Sequence, residues 1–319
     1  ERFNREVDKK TGYRTRNILS VPLRDYEGSL VGVLQVINKR RGQFSPYDIT
    51  LAETLAAQAG VAVQRATLID HYLRKQEMER AMQIAREIQL GLMPAESPNI
   101  DGFDIAGFSM PADETGGDSY DYMRLGDGRW MFTVADATGH GIGPALVIAE
   151  TRAMLRAIAL HALAIPEVLA SANNLLSQDL NDERFVTCFF GVLDPRSAEL
   201  SYASAGHGPL LFYRRSSDTF DEQGATGLPL AIMDCSTYDD VRTFSMQSGD
   251  LAVITTDGFM EASKASGEMF GVKRMKEVIR RHRDAPSGDL VSKLHLSVEQ
   301  FTGGEPQADD LTAIIIRKE

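Results

Sequence analysis

The stretch Thr133-Val134-Ala135-Asp136-Ala137-Thr138-Gly139-His140-Gly141-Ile142-Gly143 decides how this chain is interpreted. The apolar run from Trp130 to Ala135 predicts a buried strand that ends at the carboxylate of Asp136, and Pro144 predicts the start of a helix. The glycines at 139, 141 and 143 let the chain turn sharply behind Asp136 and leave room for a ligand to approach. An aspartate at such a strand end is placed to bind something.

Carboxylates recur at three other strand ends or glycine turns: Gly116-Gly117-Asp118, Leu251 to Gly258 with Asp257, and Asp309-Asp310-Leu311-Thr312. Any one of them alone is ordinary turn chemistry. Together they predict one acidic centre, because carboxylates brought close repel each other unless a cation lies between them. No Cys or His pair has ligand spacing, which argues against zinc and favours a hard divalent ion with oxygen ligands.

The ordered motifs of the chain resemble those of the metal-dependent PPM protein phosphatases, and more narrowly of their bacterial SpoIIE-like (RsbU-type) branch. The resemblance runs from about residue 80 to the end. It rests on Gly116-Gly117-Asp118 with Tyr120-Asp121, Asp136-x-x-Gly-His-Gly141, Ala205-Gly-His207, Thr256-Asp-Gly258 with Glu261, Phe270-Gly271 and Asp309-Asp-Leu-Thr312. It implies an α/β (α+β) fold, the PPM-type α-β-β-α sandwich of two antiparallel sheets flanked by helices.

The resemblance also implies the catalytic and metal-binding residues. Asp136 would bridge two ions, Mn²⁺ or Mg²⁺, and the backbone carbonyl of Ala137 would complete the first ion's ligands. Asp257 and Asp309 would hold the second ion, and Asp118 would support the first directly or through water. Asp310 is the secondary candidate of its pair. His140 and His207 can be imagined as general acids or bases, but a His between two glycines in a turn is more often structural.

The implied activity is hydrolysis of phosphoserine or phosphothreonine on a signalling protein. The implied substrate is a small phosphorylated anti-sigma-factor antagonist with a STAS fold. Two other functions remain open: a catalytically silent phosphatase-fold scaffold that only binds a partner, and a small-ligand sensor. The intact Asp118, Asp136, Asp257 and Asp309 argue against the scaffold.

The composition limits which partners and which cellular compartment the sequence favours. The 34 basic and 45 acidic residues give a net charge of −11, which disfavours nucleic acid and anionic membranes as partners. Cys188 and Cys235 are too few for a disulfide framework and suit a reducing cytosol. No apolar run approaches the roughly 18 residues of a membrane span, and the charged stretch Glu1 to Glu6 is not a signal peptide. We expect a cytoplasmic protein, and the missing initial Met is compatible with a fragment of a longer one.

Residues 1–66 form a first region with two predicted strands, Arg16 to Pro22 and Leu30 to Asn38, and a helix from Pro46 to Arg65 capped by Ser45. Its motifs resemble the second half of a GAF sensor domain, close to the cyclic-nucleotide-binding type: Thr11-Gly-Tyr13, Asn17 to Leu23, Gly32 to Lys39 and Phe44-Ser-x-x-Asp48. We assign no ligand residues. The core of such a short region is marginal, so we expect it to depend on a partner copy or on further sequence.

Residues 67–94 are predicted to be a helical linker. Met78, Ala81, Ala85, Ile88 and Leu92 recur at heptad spacing, which Arg74 to Glu77 interrupt upstream. This seam either packs on its own domain or joins a homodimer as a coiled coil. The stretch Ala85 to Pro94 resembles the regulatory helix that precedes SpoIIE-like phosphatases. We therefore hypothesise that the sensor region acts on the metal site through this helix.

Residues 95–319 are predicted to form the phosphatase domain. Short turns between its strands indicate antiparallel sheets, and paired helices indicate outer layers. The first helix, Pro144 to Ala164, is predicted to be almost continuously apolar on one face, through Leu146, Ala149, Ala153 and Leu160. Gly227-Leu-Pro-Leu-Ala231 resembles a Gly-x-Pro-Leu-Gly turn that ends in Ala here, which restricts the loop.

Overall fold

The computed structural model describes residues 12, 14–161, 164–180 and 184–319. Thr11 and Tyr13 of the sensor-like motif, and the charged start at Glu1 to Glu6, lie outside the described residues. The chain forms two compact units, the first ending at Ala81 and the second extending from Met82 to Glu319.

The first unit is a hairpin followed by a helix. Strand β1 (Ile18–Arg24) pairs antiparallel with β2 (Leu30–Ile37), as the sequence predicts. Helix α1 (Pro46–Leu92) begins at the predicted proline. The Ser45 hydroxyl accepts a hydrogen bond from the Asp48 amide, and the Asp48 carboxylate accepts one from the Ser45 amide, so the two residues satisfy each other's backbone donors.

The core of the first unit is small. Val21, Ala52 and Ala56 are buried, and Leu19, Leu23 and Leu34 pack partly against them. Apolar side chains on the hairpin stay open, with Leu30 62% and Val33 55% exposed. The core of the first unit is therefore as small as predicted, because folding removes little apolar surface from water here.

Helix α1 does not end near Arg65, where the sequence analysis places a boundary. It continues without interruption for 47 residues, through the predicted linker. No proline or glycine pair breaks it, because Gly60 and Gly91 stand alone and a single glycine weakens a helix without ending it. Within the described ranges, none of the helices combines the length and hydrophobicity that a membrane crossing requires.

The second unit contains two antiparallel sheets. One has the strand order β10-β7-β6-β5-β4 and the other β3-β12-β11-β8-β9. The first consists of β4 (Asp118–Arg124), β5 (Trp130–Ala137), β6 (Val186–Asp194), β7 (Glu199–Ala205) and β10 (Arg242–Ser245). The second consists of β3 (Phe103–Met110), β8 (Leu210–Arg214), β9 (Thr219–Gln223), β11 (Leu251–Thr255) and β12 (Leu311–Lys318).

The sheets pack face to face with helices outside them, which confirms the predicted α-β-β-α sandwich. Aromatic and branched side chains from both sheets, such as Phe132 and Phe212, share one core. Helices α2 (Ile142–Ala159) and α3 (Ile165–Asp179) cover the first sheet. Helices α5 (Gly271–Arg281) and α6 (Ser287–Thr302) cover the second, and a short α4 (Gly258–Glu261) precedes them.

The apolar face identified in α2 from the sequence is not the face that packs on the sheet. Leu146 is 66% and Leu160 61% exposed, and Ala153 is exposed too. The buried side carries Ala145, Ile148, Thr151, Leu155 and Ala159. Thr151 fits there because its hydroxyl donates to the Val147 carbonyl, so the buried face includes a polar residue that an apolar pattern overlooks.

Three elements were not predicted: β9, β10 and α4. Strand β9 has the burial pattern of an edge strand, mostly open to solvent, and β10 has only four residues. Neither gives the strong alternation from which strands are recognised.

Candidate metal centre

Two of the predicted carboxylates lie side by side on neighbouring strands. Asp118 opens β4 and Asp136 lies near the end of β5, directly opposite it in the antiparallel register. Asp118 is only 4% exposed. Burial and the neighbouring Asp136 raise the pKa of Asp118 well above its usual range. Burial, together with Asp257, Asp309 and Asp310, raises the pKa of Asp136 to about 7. Because the two carboxyls lie on directly paired residues and each has a raised pKa, a proton or a cation must neutralise the pair.

The other two carboxylates come from the second sheet. Asp257 follows β11 and Asp309 precedes β12, and these strands are neighbours. Burial, Asp309 and Glu261 raise the pKa of Asp257. Asp309 is exposed. Asp257 and Asp309 also raise the pKa of Asp136, so the charges of the second sheet lie within electrostatic reach of the first.

Thr256 connects the two sheets beneath the carboxylates. Its hydroxyl donates to the Asp118 carboxylate at 2.7 Å, across 138 positions of sequence. The same hydroxyl oxygen accepts from the Thr312 amide at 3.1 Å. A residue of the second sheet thus fixes the orientation of a carboxylate of the first.

Asp310 supports the backbone of the site. Its carboxylate accepts hydrogen bonds from the Ala112 amide at 2.7 Å and from the Gly117 amide at 2.6 Å. The residue is 8% exposed. Its oxygens are therefore already engaged with the loop that leads to Asp118, which leaves Asp309 as the freer carboxylate of the pair.

Two glycines of the motifs are required by close backbone approaches. A Cβ atom on Gly117 would lie 2.7 Å from the Ala137 carbonyl oxygen, and one on Gly258 would lie 2.1 Å from that of Asp310. Neither position has space for any larger residue.

The last turns of α1 also hold this loop. The buried Gln89 side chain accepts from the Gly116 amide at 3.0 Å and donates to the Gly116 carbonyl at 2.5 Å. Arg86 donates to the Asp113 carbonyl at 3.1 Å. Gly116 thus has both backbone groups bonded to one helix side chain, two residues before Asp118. Gln89 and Arg86 lie in the stretch that resembles the regulatory helix, but no sequence pattern indicated these contacts.

The two histidines take different places. The side chain of His140 is 90% exposed, with Nδ1 3.1 Å from the Asp113 carboxylate. His207 is buried with Nδ1 3.0 Å from the Thr187 hydroxyl, and burial lowers its pKa to about 4. A buried neutral imidazole bonded to a strand residue agrees with the structural alternative for His207.

Arginines that no motif indicated lie close to the site. The Nη2 atom of Arg184 lies 3.0 Å from the position that a Cβ atom on Gly143 would occupy, beside the loop that follows Asp136. Arg152 and Arg156 of α2 pair with the buried Asp121 at 3.1 and 2.7 Å. Asp121 of the Gly-Gly-Asp motif region is therefore an anchor for α2, and Arg184 places a positive charge beside Gly143.

The donor set fits a hard divalent cation. In the part of the chain that the structure describes, no three His, Cys, Asp or Glu side chains stand close enough to hold an ion as they are. Yet buried carboxylates from two sheets raise each other's pKa, and they offer only oxygen ligands. Such an arrangement is stabilised by Mg²⁺ or Mn²⁺ more readily than by zinc.

Comparison with known proteins assigns the class. The family profile "Stage II sporulation protein E (SpoIIE)" matches residues 126–319, and the GAF domain profile matches residues 1–63. The sandwich is the fold of solved PP2C phosphatase domains. The chain belongs to the SpoIIE family.

Individual relatives agree with this assignment. The chain is 26% identical over 246 residues to the phosphoserine phosphatase RsbU of Bacillus subtilis (strain 168), covering 76% of this chain and 72% of RsbU. It is 24% identical to the phosphoserine phosphatase RsbP of the same strain, covering 76% of this chain and 59% of RsbP. The solved SiaA-PP2C domain of Pseudomonas aeruginosa superposes with a TM-score of 0.67 at 21% identity, covering 77% of this chain and 99% of that domain.

Proposed function

We propose that this chain is a metal-dependent phosphatase that hydrolyses phosphoserine or phosphothreonine on a signalling protein. The observation that carries the proposal is the meeting of Asp118 and Asp136 from one sheet with Asp257 and Asp309 from the other. Like charges close together, one of them buried and two partly buried, are costly unless a cation lies between them, which favours an enzyme over a silent scaffold.

In this proposal Asp118, Asp136, Asp257, Asp309 and the Ala137 carbonyl hold two divalent ions, Mn²⁺ or Mg²⁺. Bound ions would neutralise the phosphoryl charge and activate water for attack. Asp310 fixes the loop before Asp118 through two backbone amides. Thr256 orients Asp118, and Arg184 attracts the anionic substrate to the rim.

The substrate that we propose is a phosphorylated STAS-domain anti-sigma-factor antagonist. The proposal is supported by the likeness to RsbU and RsbP, which are named phosphoserine phosphatases. A folded protein substrate is also compatible with a centre at an open edge, where Asp309 is exposed.

Regulation is proposed to pass along α1. The division that we propose is a GAF-like region at 1–66, a linker at 67–94 and a phosphatase domain at 95–319. Gln89 supports the idea, because it bonds both backbone groups of Gly116 and so couples any rotation of the helix to Asp118. Met78 and Ile88 are 67% and 63% exposed, so this seam is free for a second copy in a homodimer.

The test is hydrolysis of p-nitrophenyl phosphate and of a phosphoserine protein with Mn²⁺, with chelator, and with Asp136→Ala or Asp257→Ala. Metal-dependent turnover that either substitution abolishes supports the enzyme. Absence of turnover with folded protein, even after removal of the region before Met78, would favour the scaffold. Changing Ala85 and Ile88 to Glu tests the linker, and unchanged oligomeric state and activity would contradict its role.

A further inference from the structure

A groove lies beside the candidate metal centre and shares Asp309 with it. It encloses about 410 Å³ between the loop after β11, helix α6 and the loop that leads to β12. Gly258 and Asp309 line it, and Asp257 directly precedes Gly258. The groove therefore begins at the edge where a phosphorylated side chain would react.

The polar part of the groove is acidic. Glu261, Glu299, Glu305 and Asp309 all line it. Among the described residues that form its lining, none is Lys or Arg. The neighbouring Lys264 does not neutralise these carboxylates, because its ammonium pairs with Glu268 at 2.9 Å.

The floor of the groove is apolar. Val298 is 4% exposed, and Met269 stands at the side with 56% of its surface open. His295 closes one wall, with its ring centroid 5.2 Å from that of Phe108. An apolar floor beneath an acidic rim suits a side chain with an aliphatic stem and a positive end.

We propose that this groove binds a Lys or Arg side chain of the phosphoprotein substrate, close in sequence to the phosphorylated residue. The charge complementarity favours a basic side chain over an acidic or neutral one. An extended chain advances about 3.3 to 3.6 Å per residue, so a groove that starts at Asp309 takes a residue within about three positions of the phosphoserine. The proposal rests on the phosphatase function and defines the substrate class of the same site.

The test uses phosphoserine peptides in which one Lys is moved from three positions before the phosphoserine to three positions after it, each with a Gln counterpart. Binding is measured by fluorescence anisotropy with chelator present, so that metal-dependent turnover is suppressed. Hydrolysis of the same peptides and of p-nitrophenyl phosphate is measured with Mn²⁺. The protein is the full chain, as wild type, Glu299→Gln and the double variant Glu299→Gln with Glu305→Gln.

We expect one Lys position to improve binding and kcat/KM over its Gln counterpart. Each substitution should reduce that preference about two- to fivefold, the range of an exposed ion pair. Turnover of p-nitrophenyl phosphate should not change, since it has no peptide to enter the groove. Glu167→Gln on α3, an exposed residue of the layer that covers the first sheet, is the matched control and should retain the full preference.

Other outcomes separate the two proposals. If wild type hydrolyses the peptides but no Lys position is preferred, the groove assignment is overturned and the phosphatase stands. If Lys preference in binding is present and lost in the double variant while nothing is hydrolysed, the groove stands and the phosphatase fails. A Lys preference that the double variant retains, or Mn²⁺ binding that Glu299→Gln alone abolishes without any Lys preference, also overturns the assignment.

Discussion

The two sheets contribute unlike halves to the acidic centre. The first half, which we call the buried half, consists of the buried Asp118 and the half-buried Asp136 on paired strands, and burial raises the pKa of both. The open half, Asp257 and Asp309, lies at strand ends beside the acidic groove, and Asp309 is exposed. In the proposed function, the buried half would hold charge that a cation neutralises, and the open half would face the substrate.

The largest expected effect is on activity. Asp136→Asn and Asp257→Asn should each lower kcat/KM for a phosphoserine peptide by about a thousandfold or more, because each removes a charge from the proposed cation site. Steady-state kinetics with saturating Mn²⁺ measures this. Near-normal turnover by either variant would show that the substituted residue does not belong to the catalytic centre.

The same pair of variants should differ in stability without metal. Since the pKa of Asp136 is raised to about 7, its ionised form is disfavoured in the folded state. The folded state then binds more protons than the unfolded state between about pH 4 and 7, so stability falls as pH rises through this window. At pH 8 with chelator, Asp136→Asn should raise the free energy of unfolding by about 2 kcal/mol, and Asp257→Asn by less. Denaturant unfolding at pH 5 and 8 tests this expectation. An equal increase in the free energy of unfolding for both variants would contradict the difference between the two halves.

His207, which contacts Thr187 of the first sheet, should make stability depend on pH in the opposite direction. Its pKa is lowered to about 4, so between about pH 6.5 and 4 the unfolded state binds more protons and stability falls as pH falls. As pH falls across this window, the free energy of unfolding of the wild type should decrease by up to about 3 kcal/mol more than that of His207→Asn. If curves of the free energy of unfolding against pH were parallel for the two proteins, His207 would not be buried as a neutral imidazole.

Gln89 should matter for the buried half alone. Gln89→Leu leaves the buried backbone groups of Gly116 without partners, which costs about 1 to 3 kcal/mol and loosens the loop before Asp118. We expect about tenfold weaker activation by Mn²⁺, measured as the concentration for half-maximal activity. Gln83→Leu, on the same helix with only a 3.4 Å contact to Glu87, is the control. If both variants weakened activation by Mn²⁺ equally, the loss would come from a change in helix propensity and not from the contact with Gly116.

The smallest effect is expected at Ala231. Its φ of 65° is left-handed, and its amide donates to Asn173 at 2.9 Å. Ala231→Gly should stabilise the protein by roughly 0.5 to 1 kcal/mol, because the relief of strain exceeds the added freedom of the unfolded chain. Ala170→Gly within α3 should instead destabilise by about 1 kcal/mol. Thermal unfolding of both variants tests whether Ala231 in this loop lowers the stability of the protein.

From the sequence alone, the order of strands and helices in the second unit was predictable except for β9, β10 and α4. Strand alternation and turn residues are local signals, so antiparallel sheets with outer helices followed from them, while the α-β-β-α sandwich was expected from the family resemblance. The carboxylates at strand ends predict one acidic centre, which stays a prediction. The continuity of α1 was not, because a boundary was inferred from a change of motif rather than from a helix-breaking residue.

Only the tertiary structure decided which groups support the site. Asp310 bonds to Gly117, 193 positions away, and Gln89 to Gly116, 27 positions away. No local pattern indicates such partners, because a hydrogen bond depends on distance in space and not along the chain. The same applies to the buried face of α2, which was decided by contact with the sheet and by the bond of Thr151 to its own helix.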